Sequence, residues 1–283
     1  MIKKIHKKNK KKNIHNIIHL GANKTGTTSF QINLFSKKKE IGYLGQHCKE
    51  SKKILNELRN LKKQDQFYYN ENFLKKKINK IKKKKIVTFL YSDEDIITSN
   101  NISRSAQRLK SLLPQAKVVL TIRNQLSALE SWYLSHGQFL KMVPKKYFGK
   151  SVNFNEWLNY CFKFKDSFVT PEQASPFEAM DYNKIIEIFA KYFGFKNIKI
   201  LLYEDLKLNQ NKAFYEWSKL LKISEEKIKY SIENNKIHRK SPKKTVELID
   251  KKKLKLIKNF FAKGNHSLSK KYKLNLKVHK YPL

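Results

Sequence analysis

The fold is decided by residues 16–35, which read NIIHLGANKTGTTSFQINLF. A short apolar run from Ile14 to Leu20 stops at a glycine, a loop rich in glycine and threonine follows, and an amphipathic helical pattern then begins. A strand, a tight loop and a helix N-terminus in this order leave backbone N–H groups and the positive end of a helix dipole open to phosphate or sulfate. Glycine lets the backbone turn sharply and approach such an anion closely. We therefore predict an anion-binding loop whose binding residues are Gly21, Lys24, Thr25, Gly26, Thr27 and Thr28.

The position of the lysine separates two kinds of anion-binding loop. A Walker A loop reads G-x-x-x-x-G-K-[ST], with its lysine directly after the second glycine. Gly21 and Gly26 have that spacing here, but Thr27 stands in the lysine position and Lys24 lies inside the loop. A lysine moved by three residues meets a different part of a nucleotide. Two alternatives stay open from the loop alone: a nucleotide or small-molecule kinase that uses ATP and magnesium, and a turn that binds nothing.

The pattern G-x-x-K-T-G-T-T after a strand resembles the 5′-phosphosulfate-binding loop of sulfotransferases, which use 3′-phosphoadenosine 5′-phosphosulfate (PAPS) as donor. Residues 181–206, from DY at 181–182 to YEDL at 203–206, are similar to a helix, a strand and the YEDL corner of the bacterial sulfotransferases. The resemblance implies in-line transfer of a sulfuryl group from PAPS to a hydroxyl or amine acceptor, without a metal. It also implies that Lys24 is catalytic, because its ammonium group would meet the oxygens of the leaving 5′-phosphate.

A second candidate donor-binding element follows another predicted strand. Residues 123–133, RNQLSALESWY, look like the sulfotransferase element in which an arginine and a serine at this spacing hold the 3′-phosphate. The resemblance assigns these roles to Arg123 and Ser131, and a guanidinium group gives charge-assisted, bidentate hydrogen bonds to phosphate. A strand-end arginine that pairs with a surface acid is the alternative. Arg239 begins a weak match to the R-K-G loop of cytosolic sulfotransferases, but the glycine is missing, so a plain basic turn is the competing interpretation.

The resemblance also implies a glutamate or histidine that accepts the proton of the acceptor group. Glu94 is the first candidate for this general base, since it follows a predicted buried strand beside the donor loop. A helix-capping or loop acid is the competing interpretation of Glu94. His136 is the second candidate, and His47 and His19 are further alternatives.

Short apolar runs of strand length alternate with helical patterns along the chain. This alternation predicts an α/β fold, a three-layer sandwich with a mainly parallel central sheet. The resemblance to sulfotransferases implies that this sheet is like that of P-loop NTPases. Polar residues follow the runs that end at Leu20, Tyr91 and Ile122, and ligands bind beyond the carboxyl ends of such strands. The predicted strands are 14–20, 41–45, 86–91, 117–122 and 197–202, and the predicted helices are 27–36, 51–63, 72–84, 103–113, 126–139, 154–162, 181–193, one that ends near 221, and 246–261 before a tail at 264–283.

The chain is predicted to hold one domain. Residues 1–13 form a basic tail, and residues 14–283 form a single sulfotransferase-like domain. An irregular region at about 140–180 carries three prolines and many aromatic residues, and we interpret it as an insertion on the acceptor side. Aromatic rings and lysines there would suit a sugar, so the expected acceptor is a carbohydrate or glycan.

The net charge of +39 is extreme, and only five of the 62 basic residues are arginine. Such a charge creates a positive potential that attracts polyanionic donors and acidic acceptors. A basic nucleic-acid-binding protein is the alternative from another functional class. The sequence shows no helix-turn-helix, zinc-finger or RNP signature, so we expect no specific nucleic-acid partner.

Targeting signals are absent from the sequence pattern. No apolar h-region of adequate length follows the basic N-terminal residues, and no window has 18 uncharged apolar residues. Cys48 and Cys161 have no metal or disulfide spacing, which indicates a reducing compartment. We therefore expect a cytoplasmic protein without a transmembrane segment, whose basic tail allows weak contact with an anionic membrane surface.

Overall fold

The computed structural model describes residues 14–63, 67–99, 101–135, 137–140, 143–165, 175–233 and 248–283. Within these ranges the centre of the fold is a sheet of five parallel strands in the order β2-β3-β1-β4-β5. The central strand β1 therefore lies between β3 and β4. The strands are β1 (His15–Gly21), β2 (Ile41–Gly45), β3 (Thr88–Ser92), β4 (Lys117–Ile122) and β5 (Ile198–Leu202).

Helices cover both faces of this sheet, which confirms the predicted α/β sandwich. No helix in the described ranges combines the length and the hydropathy that a membrane span requires. The α-helices are α1 (Thr27–Phe30), α2 (Lys52–Lys62), α3 (Glu71–Lys82), α4 (Asp95–Thr98), α5 (Ile102–Leu112), α6 (Gln125–Ser135), α7 (Phe154–Lys163), α8 (Pro176–Ala179), α9 (Tyr182–Phe193), α10 (Tyr203–Leu208), α11 (Gln210–Leu221), α12 (Glu225–Glu233) and α13 (Lys251–Tyr272).

The core lies in two layers, one on each side of the sheet. Ile18 and Leu20 of β1 pack in the larger cluster, together with apolar residues of α2, α3, α5 and α9. Ile17 points to the other side, where it packs with Phe214 and Trp217 of α11. Strands that are buried on both faces have continuous apolar runs, which explains why their positions could be predicted from the sequence.

Parallel pairing brings three strand ends to one edge of the sheet. His19 of β1 pairs in register with Ser92 of β3 and Val119 of β4, and Gly21 pairs with Thr121. The residues that follow β3, β1 and β4 therefore start from the same edge. The sequence predicted polar residues after these same three strands.

The last helix differs from its prediction at both ends. The predicted helix is 246–261, whereas α13 runs from Lys251 to Tyr272. Asp250 fixes the start, because its side chain accepts hydrogen bonds from two backbone N–H groups of the first turn. Gly264 does not end the helix. A Cβ at this position would lie 3.2 Å from Cβ of Asn183, so the glycine allows α13 to pack closely against the start of α9.

Three smaller differences concern other helices. The first helix becomes π-helical over Gln31–Phe35, so its residues leave the predicted α-helical spacing. The helix predicted at 126–139 ends at Ser135. Helix α12 is not predicted, because only Ile228 and Ser231 are buried along it and the apolar pattern is correspondingly weak.

Candidate functional site

The loop between β1 and α1 is folded tightly by two residues with left-handed backbone conformations. Lys24 has a φ of 68° and Gly26 has a φ of 75°. Thr25 between them is buried, and its hydroxyl donates to the carbonyl oxygen of Ala22 at 2.5 Å. The N–H of Ala22 donates to the carbonyl oxygen of Thr121 at 2.9 Å, which ties the loop to the end of β4. Because a positive φ is uncommon for a residue with a side chain, the lysine held there is a candidate functional residue.

The first turn of α1 is open to a ligand. Its N-cap residue is Gly26, so no side chain caps the first turn, where the N–H of Ser29 donates to the carbonyl oxygen of Gly26 at 3.1 Å. Gly21 allows the strand end and the helix start to meet, since a Cβ there would lie 1.7 Å from Cγ2 of Thr27. The N–H groups of Thr27 and Thr28 are thus available to an anion.

Glu94 lies beside this loop. The hydroxyl of Thr27 donates a hydrogen bond to Oε2 of Glu94. Burial raises the pKa of Glu94 above its usual range, while the hydrogen bond from Thr27 and the charge of Lys24 act in the opposite direction. Thr27, which occupies the lysine position of a Walker A loop, therefore contacts a carboxylate. The catalytic role of Glu94 stays a prediction.

The segment that carries Glu94 is held by buried polar contacts. Asp93 is 2% exposed, and Nζ of Lys62 lies 3.0 Å from its Oδ2. Lys62 also lies 3.0 Å from Oδ2 of Asp95. The hydroxyl of Tyr91 donates to Asp93 at 3.1 Å, and the N–H of Asp95 donates to the same carboxylate at 3.0 Å. These contacts fix the backbone on both sides of Glu94, and nothing in the sequence spacing had linked Lys62 to this segment.

Arg123 lies at the end of β4 and contacts the loop directly. Its Nη1 donates to the carbonyl oxygen of Lys24 at 2.9 Å. The guanidinium carbon lies 4.9 Å from the centre of the Tyr203 ring, and the hydroxyl of Tyr182 donates to the carbonyl oxygen of Arg123 at 2.9 Å. The loop lysine and the strand-end arginine are therefore neighbours at one edge of the sheet.

The serine that contacts Arg123 is Ser127, whereas the sequence pointed to Ser131. Nε of Arg123 donates to Oγ of Ser127 at 3.0 Å. Ser131 is partly exposed one turn further along α6, and no hydrogen bond joins it to Arg123 in the part of the chain that the structure describes. Ser127 follows Arg123 at four residues, a spacing that could have singled it out. The role of Ser131 in phosphate binding stays a prediction.

A buried polar network connects three strand ends beneath the loop. His19 is 1% exposed, its Nδ1 lies 2.9 Å from Oγ of Ser92, and its Nε2 lies 3.1 Å from Oγ1 of Thr121. Gln31 donates to the same Ser92 hydroxyl at 3.1 Å. Burial lowers the pKa of His19 to about 3, so the imidazole is neutral at pH 7. Because an acceptor substrate cannot reach this side chain, His19 supports the loop and is not a candidate base.

The remaining candidates lie elsewhere. His47 is exposed after the edge strand β2, with β3 between it and β1. His136 and Arg239 lie outside the described residues, so their roles stay predictions. Among the residues that the structure describes, no three His, Cys, Asp or Glu side chains form a group that could hold a metal ion.

The family follows from a comparison of the sequence with known protein families. The family described as "Sulfotransferase domain" matches residues 16–192, which is well over half of the chain. This protein belongs to the sulfotransferase family. It is thus an enzyme of sulfuryl transfer, and the matched residues of the sulfotransferase include the loop, Glu94 and Arg123.

Solved structures support the fold of this sulfotransferase. The crystal structure of a sulfotransferase from Alicyclobacillus acidocaldarius matches with a TM-score of 0.62 at 14% identity, over 94% of this chain and 98% of that chain. At this identity the likeness shows the fold alone. Mouse sulfotransferase SULT7A1, solved in complex with PAP, matches with a TM-score of 0.40 at 12% identity over 76% of this chain and 62% of that chain. A search of curated proteins found no significant match.

Proposed function

We propose that this sulfotransferase moves a sulfuryl group from PAPS to a hydroxyl or amine group of a carbohydrate or glycan. The observation that carries the donor assignment is the 2.9 Å hydrogen bond from Nη1 of Arg123 to the carbonyl oxygen of Lys24. It joins two strand ends whose residues resemble the two donor-binding elements of the family. One bound molecule with two anionic groups can thus contact both.

The side chains at these strand ends fit the two anionic groups of PAPS. The uncapped first turn of α1 and the hydroxyl of Thr28 suit the 5′-phosphosulfate, whereas the hydroxyl of Thr27 already donates to Glu94. Arg123 suits the 3′-phosphate, with Ser131 and Arg239 as further proposed contacts. Nη2 of Arg123 makes no hydrogen bond to any residue in the described ranges, so this nitrogen can donate to a phosphate oxygen.

In the proposed reaction, the acceptor oxygen or nitrogen attacks the sulfur in line with the bridging oxygen of the donor. A new bond to sulfur forms, the S–O bond to the 5′-phosphate breaks, and 3′-phosphoadenosine 5′-phosphate (PAP) leaves. Negative charge grows on the bridging oxygen, where Lys24 and the loop N–H groups would stabilise it. Holding the donor and the acceptor in line can supply ~7–11 kcal/mol of the lowering of the barrier. No step in this scheme requires a metal ion.

We propose that Glu94 accepts the proton of the acceptor group, with His136 as the second candidate. Glu94 lies next to the loop through its contact with Thr27, and its raised pKa makes it a stronger base than an exposed glutamate. Lys62, Asp93 and Asp95 hold its backbone. A proton-transfer role fits this fixed position.

The irregular region at about 140–180 is the proposed acceptor side. The ammonium groups of Lys146 and Lys150 lie 5.1 and 5.5 Å from the centre of the Tyr147 ring. The neighbouring Phe148 is 45% exposed. A surface that combines aromatic rings with lysines suits a sugar that carries acidic groups.

The proposed partners are PAPS, PAP and a sugar acceptor, without a specific nucleic acid. Residues 14–283 are proposed to form one domain behind the basic 1–13 tail, which would allow weak contact with anionic lipid. A cytoplasmic location is supported by two free cysteines, Cys48 and Cys161.

Transfer of labelled sulfate from PAPS to a panel of sugars, lipids and small phenols tests the acceptor class directly. We expect labelled sugar with the wild type and a rate of labelling roughly 10²–10³-fold lower with Lys24→Ala. Thermal shift separates the donor from the kinase alternative, because PAP should raise the melting temperature and Mg-ATP should not. A shift with Mg-ATP alone would favour the kinase. Salt-sensitive DNA binding that survives Lys24→Ala and Arg123→Ala would favour the nucleic-acid alternative.

A further inference from the structure

Residues 276–283, here called the 276–283 segment, pack against the end of β4 directly behind Arg123. The side-chain nitrogen of Asn124 donates to the carbonyl oxygens of His279 at 3.0 Å and Lys280 at 2.6 Å. Asn124 is 7% exposed, and both hydrogen bonds are partly buried. The residue after the proposed phosphate-binding arginine is therefore fixed by a segment more than 150 residues away in the sequence.

Glu204 makes a second connection between the same two parts of the chain. Its Oε1 accepts from the backbone N–H of Asn124 at 2.8 Å, and its Oε2 accepts from the hydroxyl of Tyr281 at 3.0 Å. Tyr281 is 4% exposed. The neighbouring Tyr203 carries the ring next to the Arg123 guanidinium. A shift of Glu204 would therefore disturb the guanidinium of Arg123 through the backbone of Asn124 and through the ring of Tyr203.

A third connection involves the first residue of α6. Gln125 is fully buried and exchanges two hydrogen bonds with Asn265 of α13, at 2.9 and 3.2 Å. Asn265 also donates to the carbonyl oxygen of Pro282 at 2.7 Å. Both residues that follow Arg123 thus make hydrogen bonds that lead to the 276–283 segment, partly buried for Asn124 and fully buried for Gln125. A buried polar group that loses its partner destabilises the folded state, so these hydrogen bonds strongly favour one position of the 276–283 segment.

We propose that the 276–283 segment is part of the donor site, and that Tyr281 is a positioning residue that holds Arg123 in the orientation that binds the donor's 3′-phosphate. This inference rests on the proposed function. Neither Tyr281 nor Glu204 needs to touch the donor. The two act through the backbone of Asn124 and the ring of Tyr203. If the segment favours the donor-binding orientation of Arg123, a bound donor must in turn stabilise the segment.

The first test compares Tyr281→Phe with the wild type by calorimetric titration of PAP. This substitution removes one hydroxyl and keeps the ring in its buried place. We expect the Kd for PAP and the KM for PAPS to rise by roughly 3–10-fold, with kcat at saturating donor unchanged. Tyr272→Phe is the matched control, because the Tyr272 hydroxyl has no hydrogen-bond partner in the described residues. It should leave the Kd at the wild-type value. Melting temperatures of both variants show whether folding has changed.

The second test needs no variant. Hydrogen exchange of the wild type is followed with and without PAP, at the amides of Lys280 and Tyr281, which donate to carbonyl oxygens of Lys277 and Leu276. PAP should slow exchange at these amides severalfold. An unchanged exchange rate, or a wild-type Kd in Tyr281→Phe, would overturn the inference while the proposed function stands. A wild type that does not bind PAP would overturn the proposed function, and the inference with it.

Discussion

At the scale of the residue, Lys24 combines an unusual backbone conformation with the proposed chemistry. Its φ of 68° is disfavoured for any residue with a Cβ. A side chain kept at such a position is expected to have a function that offsets the strain. Lys24 is proposed to neutralise the charge that develops on the leaving 5′-phosphate, which no other residue of the loop can do with a full positive charge.

Lys24→Gly separates these two properties. Glycine accepts a positive φ without strain. We therefore expect the free energy of unfolding of the variant to equal that of the wild type or to exceed it by up to about 1 kcal/mol. Loss of the ammonium group should lower kcat by roughly 10²–10³-fold, because a donor to the developing charge is gone. Urea unfolding and initial rates with PAPS measure the two effects. Lys24→Gly with wild-type turnover would remove Lys24 from the mechanism.

Glu94 gives the second prediction at this scale. If Glu94 accepts the acceptor's proton, the rate should rise with pH as the carboxyl ionises, and the acid limb should lie above the usual range for glutamate. Glu94→Gln should lower kcat by roughly 10²–10⁴-fold and abolish this limb. A pH–rate profile of the wild type and the variant measures both. An unchanged acid limb in Glu94→Gln would assign the base to another residue.

The raised pKa of Glu94 also predicts the direction in which Glu94→Gln changes the stability of the fold. Burial raises the pKa of Glu94 in the folded protein, so the folded state binds its proton more tightly than the unfolded state does. The ionised carboxylate therefore reduces stability as the pH rises through the folded pKa. We expect Glu94→Gln to gain stability relative to the wild type at neutral pH and to lose this advantage in acid. Urea unfolding across this pH range measures the difference between the two proteins.

At the scale of the element, His19 joins three strands. Its imidazole bonds Ser92 at the end of β3 and Thr121 in β4, and Trp217 packs edge-on at 5.1 Å. The loop between β1 and α1 starts two residues after His19. A change in this network should therefore move the loop against the end of β4, where Arg123 lies.

His19→Gln tests this network through the pH dependence of folding. The pKa of His19 is about 3 in the folded protein and about 6.5 in the unfolded chain, so the unfolded state binds the proton first as the pH falls. The stability that the neutral imidazole contributes is present above pH 6.5 and is lost toward pH 3. We expect the wild-type free energy of unfolding to change by about 1 kcal/mol per pH unit more than that of the variant over this interval. Equal slopes in both proteins would show that His19 titrates normally.

The elements show which parts of the fold the sequence could predict. The runs of β3 and β4 are mostly apolar, because helices cover both faces of the sheet, and their positions were predicted to within two residues. The end of α13 was predicted too early, at 261, whereas the helix continues through Gly264, which permits close packing against α9. That contact with Asn183 cannot be predicted from the residues around Gly264. Helix α12 was missed for a related reason, because a helix with few buried residues has a weak pattern.

The candidate site shows the same limit. Lys24, Arg123 and Glu94 were singled out by residue type and by their places after strands. Their contacts depend on strand order, which a single sequence does not specify. Lys62 and Tyr281 had no signal, because each acts through a residue far away in the chain. Short spacings such as that of Arg123 and Ser127 were available, but the resemblance favoured Ser131.

At the scale of the whole molecule, the parallel sheet explains how distant residues form one site. The strand order places β1 between β3 and β4, so the segments that carry Lys24, Glu94 and Arg123 leave the sheet at the same edge. The high positive charge of the chain adds a potential that attracts an anionic donor. In the proposed function, the β1 loop and the end of β4 bind different anionic groups of a single molecule.

Calorimetric titration of PAP and of adenosine 5′-phosphate, which lacks the 3′-phosphate, tests this proposal most directly. The wild type should bind PAP more tightly. Arg123→Ala should reduce this preference by roughly 10-fold or more, the equivalent of ~1.5–3 kcal/mol for a charge-assisted contact. Lys24→Ala should weaken both ligands alike and keep the preference. An Arg123→Ala variant that discriminates between PAP and adenosine 5′-phosphate as strongly as the wild type would contradict the account.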